Sequence, residues 1–156
     1  MGFIPSSFMK ITHHRSSLSM KLSPVTGGSV VAIVTPMTSN NEIDYAKFIE
    51  LLQWHVQEGT DGAVILGTTG EGSMISLSER SEIIKTAVRV VNKAFPIIVG
   101  AGTIEPSKVI ELSQNALDNG ADATLLITPY YVKPPQRALV QPVSYTHLTL
   151  PTNREV

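Results

Sequence analysis

Gly62-Ala63-Val64-Ile65-Leu66-Gly67-Thr68-Thr69-Gly70-Glu71-Gly72 runs from an unbroken apolar stretch straight into a glycine-rich turn. The apolar part does not alternate with polar residues, so a strand formed there is expected to be buried on both faces, as in a parallel sheet. In the turn, glycines let the backbone come close to a ligand, and successive N–H groups can cradle an anion. The adjacent Thr68 and Thr69 suit a carboxylate, since each adds a hydroxyl to its backbone donor. A glycine-rich turn after a strand is also often nothing more than a turn, and the residues alone leave both readings open. A nucleotide loop is excluded, because the Lys-Ser/Thr ending is missing and the glycine spacing is not G-x-G-x-x-G.

Three further apolar runs, at residues 29–34, 96–100 and 123–127, repeat the pattern on either side. The segments between them have helical spacing. Tyr45, Phe48, Ile49, Leu52 and Val56 recur along residues 44–58, and Gly59 follows as a stop. Ser76 and Glu79 stand at capping-box spacing ahead of Ile83, Ile84, Ala87, Val88 and Val91 on one face. Pro106 opens a third helix, where a first turn tolerates proline, with Val109, Ile110, Leu112, Ala116 and Leu117 behind it. The order is therefore β-α-β-α-β-α-β, an α/β class whose candidates are a doubly wound sheet and a (β/α)8 barrel. A whole barrel takes about 200 to 250 residues, so four units make half of one.

Composition narrows the function. With 156 residues one domain is expected, and a net charge of −1 gives no electrostatic reason for a nucleic-acid or anionic-membrane partner. No run approaches the ~18 apolar residues of a membrane span. There is no cysteine, hence no disulfide, thiolate nucleophile or cysteine-ligated metal. The histidines make poor ligands: His55 falls on a helix beside Trp54 and His147 in the atypical tail. No metal and no cofactor is expected.

The two ends have a different texture. Residues 1–27 contain no acidic residue and are basic and serine-rich, the composition of an organellar transit peptide or of a non-core extension. A transit peptide would place the protein in a plastid or mitochondrion, its absence in the cytoplasm. Residues 142–156 carry no helical stripe and no further strand–helix unit, so they are expected to be a tail foreign to the fold at 28–141.

Sites in parallel α/β folds form at the C-terminal ends of strands. Those ends read Thr35-Pro36, residues 67–72, Gly100-Ala101-Gly102-Thr103 and Thr128-Pro129-Tyr130-Tyr131, all with small hydroxylated or aromatic residues. The opposite loops, Gly59-Thr60-Asp61-Gly62 and Asn119-Gly120-Ala121-Asp122, read as turn chemistry. Tyr130 and Tyr131 either pack on neighbouring helices or, held near a hydroxyl, pass protons.

Three stretches taken together, 28–36, Gly67-Thr68-Thr69-Gly70-Glu71, and Thr128-Pro129-Tyr130-Tyr131 with Lys133-Pro134, resemble the dihydrodipicolinate synthase branch of the pyruvate-dependent class I aldolases. The resemblance covers residues 28–141 and implies the N-terminal half of a (β/α)8 barrel. It implies a lyase that condenses pyruvate with aspartate semialdehyde in lysine biosynthesis, through a Schiff base to a barrel lysine. On the matching positions, Thr69 holds the pyruvate carboxylate with Gly67 and Gly70 in its loop. Thr68 and Tyr131 fall at positions of a hydroxyl proton relay that crosses a dimer interface, which implies a homodimer or homotetramer.

The Thr68-Thr69 pair favours the synthase over N-acetylneuraminate or 2-keto-3-deoxy sugar acid lyases, the alternative within the same barrel. Leu77-Ser78-Glu79-Arg80 does not separate these branches. A third alternative is a non-catalytic half-barrel that binds a homologue or a second copy of itself. None of Lys47, Lys85, Lys93, Lys108 and Lys133 matches the Schiff-base position, so the chain as it stands is expected to be inactive. Ile104 and Lys108 stand where the bacterial lysine-feedback site has asparagine and glutamate. Weak or absent lysine inhibition is expected, and inhibition of the active protein by micromolar lysine would contradict it.

Overall fold

A computed structural model describes residues 28–130. The expectations for residues 1–27 and 142–156, and those for Tyr131 and Lys133, fall outside it. The elements follow in the order β1 (Val30–Ala32), α1 (Tyr45–Gln57), β2 (Gly62–Ile65), a 3-10 turn (Gly72–Met74), α2 (Leu77–Val91), β3 (Ile97–Gly100), α3 (Pro106–Asp118) and β4 (Ala123–Leu125). All strand pairs are parallel and their spatial order is their chain order, β1-β2-β3-β4. A doubly wound sheet reverses its order at a switch point, and no reversal occurs among these four strands. Monotonic order with a helix between each pair is how a barrel begins.

The helices start where their side chains can cap them. Asp44 accepts from the Lys47 amide at 3.0 Å, opening α1. Ser76 and Glu79 form both halves of a capping box at the start of α2. The hydrogen bonds from Ser76 hold the Glu79 carboxyl below its ordinary pKa. Pro106 occupies the first turn of α3. β1 is shorter than the apolar run 29–34, because Pro36 has no N–H and the chain turns into a small hairpin with a Met37–Ile43 bridge.

Register decides which face is buried. Ala63 pairs with Ile97 and Ile65 with Val99, so all four point to one side of the sheet. There they meet Phe48 and Leu52 of α1 and Ile83, Ile84, Ala87 and Val91 of α2 in one core cluster. The intervening residues line the other side, where Val34 is 50% and Leu125 45% exposed. Ile98, which pairs with Val64 on that other side, is also buried, so β3 is buried on both faces as expected, while the core cluster among the described residues is built on the first side. On α3 the buried positions are Val109, Ser113 and Ala116. The expected flankers Ile110, Leu112 and Leu117 are only half-buried.

The loops entering the strands are ties. The Asp61 carboxylate accepts from the Ser29 amide and that of Asp122 from the Ile97 amide, each at 2.8 Å. Each aspartate amide also donates to the same partner's carbonyl, at 3.1 and 3.0 Å. His55 is buried and bonds through Nδ1 to the Thr60 hydroxyl at 2.9 Å, which gives it a role in the turn after α1.

Candidate functional site

Beyond β2 the chain leaves extended geometry at once. Leu66 has a φ of 56° and is buried, and Glu71 has a φ of 52°. The left-handed region costs a non-glycine residue roughly 1–2 kcal/mol, and such strain persists only where surrounding contacts enforce it. Between these residues the loop closes on itself. The Glu71 amide donates to the Thr68 carbonyl and the Gly72 amide to the Gly67 carbonyl, both at 3.1 Å, and Met74 donates to Glu71 at 2.9 Å.

This bonding leaves the amides of Thr68, Thr69 and Gly70 without an acceptor among the described residues. Both threonine side chains are exposed, while Gly70 is buried. The loop thus presents consecutive backbone donors beside two hydroxyls, an arrangement suited to a carboxylate.

Two pegs hold the loop from opposite sides. The buried Thr35 hydroxyl, three residues beyond β1, donates to the Gly70 carbonyl at 2.7 Å. Arg80, on the inner face of α2, donates through Nη1 to the Gly72 carbonyl at 2.9 Å and through Nη2 to the Gly100 carbonyl at the end of β3. Burial alone pushes the Arg80 guanidinium below its ordinary pKa. Gly72 and Gly100 both crowd the Leu66 carbonyl oxygen, which a Cβ would meet at 2.0 and 2.3 Å.

Gly67, Thr68, Thr69 and Gly70 therefore lie together on one loop at the C-terminal edge of the sheet. Glu71 is exposed there and contributes a left-handed backbone. Tyr130 is half-exposed. Thr35 and Arg80 were not singled out as site residues from the sequence. The signal for Arg80 was present: residues 80, 83, 84, 87 and 91 form one helical stripe, so a cation interrupts an apolar face. Thr35 was visible only as a hydroxyl at a strand end.

Lys47, Lys85, Lys93 and Lys108 are all exposed, and none sits at the C-terminal end of a strand. Lys47 pairs with Asp44 at 3.2 Å and Lys108 with Glu111 at 2.7 Å. Ile104, 40% exposed, follows β3. No group of three or more His, Asp or Glu able to hold a metal occurs among the described residues.

The sequence profile of the dihydrodipicolinate synthetase family matches residues 25–145. The chain belongs to this family. Among its dihydrodipicolinate synthetase relatives, the 4-hydroxy-tetrahydrodipicolinate synthase of Coxiella burnetii (strain Dugway 5J108-111) is 54% identical over 114 residues. That match takes in 73% of this chain and 39% of the relative. The enzyme of the same name from Herminiimonas arsenicoxydans is 48% identical over 114 residues, with the same coverage of 73% and 39%. The chain thus spans about two fifths of the length of the curated relatives it matches.

Family members of known structure superpose on it. The chloride-inhibited dihydrodipicolinate synthase of Acinetobacter baumannii, solved with pyruvate, aligns at a TM-score of 0.77 and 44% identity, over 80% of this chain and 43% of that one. The Thermotoga maritima synthase aligns at 0.76 and 35% identity, over 79% of this chain and 41% of the other. The four-stranded unit is accordingly the N-terminal half of a (β/α)8 barrel, and the choice left open by strand spacing is resolved for the barrel.

Proposed function

We propose that the protein carrying this chain condenses pyruvate with aspartate semialdehyde in lysine and diaminopimelate biosynthesis. The reading rests above all on the donor row of Thr68, Thr69 and Gly70, which has no acceptor among the described residues, is set at the C-terminal edge of the sheet and is pegged by Thr35 and Arg80. Family membership and a 44%-identical relative solved with pyruvate support it.

The chemistry needs a lysine amine that attacks the keto carbon of pyruvate and expels water, leaving an iminium. Loss of a methyl proton gives an enamine, whose carbon bonds to the aldehyde carbon while the aldehyde oxygen takes up a proton. Thr69, with the amides around it, holds the pyruvate carboxylate and fixes which way the methyl group faces. Thr68 and Tyr131 are the proposed hydroxyls that pass the protons. The nucleophile is supplied from outside residues 28–141, which agrees with the placing of the four described lysines on helices or just after one.

Two results are expected. When the isotope-labelled chain is titrated with pyruvate, the Thr68, Thr69 and Gly70 amide signals should shift, and Thr69→Val should weaken binding by roughly tenfold. Unchanged affinity in that variant would remove Thr69 from the site. Incubation of this chain with pyruvate and borohydride should leave its mass unaltered. A reduced pyruvate adduct on any of its own lysines would overturn the assignment of the nucleophile to another part of the protein.

A further inference from the structure

Arg80 is the one fully buried side chain with a formal charge among the described residues, at 2% exposure. No carboxylate lies within ion-pair distance of it among those residues. A buried, unpaired cation is costly, and replacing buried charge by an apolar side chain of similar volume is often neutral or stabilising. Core packing therefore does not explain an arginine at this position. Its donors do. One nitrogen bonds the carbonyl of Gly72, where the site loop ends, and the other that of Gly100, where β3 ends, while Nε has no partner.

We propose that Arg80 is a positioning residue for the carboxylate cradle, its planar guanidinium tying the loop at Gly72 to the end of β3 at Gly100. The tie closes the strained turn from its far side. Thr35 holds Gly70 from the β1 side, so the Thr68, Thr69 and Gly70 amides lie between two fixed points. The left-handed Leu66 and Glu71 need such enforcement, since each would relax if the loop could swing away. A guanidinium suits the task because its rigid fork spans two acceptors that a single ammonium nitrogen serves less well.

This role rests on the carboxylate reading of the loop, and the test separates the two. Arg80→Met and Arg80→Lys are made in the chain, and amide hydrogen exchange is followed without ligand, then pyruvate affinity is read from the Thr68–Gly70 amide shifts. Arg80→Met should speed exchange of the two bonded loop amides, Glu71 and Gly72, by roughly tenfold while the α1 amides keep their protection. Pyruvate binding should weaken by roughly tenfold at the same time, with Arg80→Lys between the two proteins. Where the methionine variant does not fold, the lysine variant carries the test, because it keeps the cation and loses the fork.

Loop exchange at the wild-type rate in a folded variant overturns the proposal. So does wild-type pyruvate affinity in Arg80→Met. A loop that loosens as expected in a protein whose wild type shows no pyruvate binding upholds the tie and removes the carboxylate reading instead.

Discussion

Gly72→Ala is expected to destabilise the fold by about 3 kcal/mol and to abolish pyruvate binding, the upper end of what overpacking a well-fitted site costs. A Cβ there would stand 2.0 Å from the Leu66 carbonyl oxygen and 2.7 Å from its carbon. Both are backbone atoms, so no side chain can swing aside to make room. Leu66 is itself buried and already left-handed, which leaves the loop as the part that must move. Moving it breaks the bonds from Thr35 to Gly70 and from Arg80 to Gly72, and with them the alignment of the Thr68, Thr69 and Gly70 amides. Denaturant unfolding and the pyruvate titration measure the two effects separately. A variant with wild-type midpoint and wild-type affinity would show that the loop does not press on Leu66 as described.

Phe48→Ala should cost about 3–5 kcal/mol, the range for removing a buried phenylalanine without refilling its space. Phe48 is 1% exposed and belongs to the same cluster as Leu52, Ile83, Ile84 and Ile65, where α1 and α2 meet the sheet. Three of these four neighbours are β-branched isoleucines, whose stiff side chains collapse poorly into a void. Since whole domains are stable by only about 5–15 kcal/mol, such a loss should be plain in the thermal midpoint. A loss below about 1 kcal/mol, less than a fully buried side chain costs on transfer alone, would mean that α1 is not docked on the sheet through Phe48.

Much of the site was legible because its residues are contiguous. Gly67, Thr68, Thr69 and Gly70 are consecutive, and a strand followed by a glycine-rich turn places them at one strand end whatever the rest of the chain does. Arg80 and Thr35 were not legible as site residues, since their partners are 8, 20 and 35 positions away. An interrupted apolar stripe reports that Arg80 is unusual, but not which carbonyls it meets.

The sequence by itself determined the local architecture. Helix starts at Asp44, Ser76 and Pro106, the stop at Gly59, and strands in the four apolar runs follow from capping, proline geometry and periodicity, which act over a few residues. Motif resemblance added the family and the half-barrel, because three short stretches hold their order and spacing. Only the tertiary structure decided that the core cluster lies on one side of the described sheet, that Leu66 and Glu71 are left-handed, and that two distant side chains peg the loop. Those features depend on register and on which backbone atoms come within hydrogen-bond reach, and such distances exist only once the strands and helices have packed.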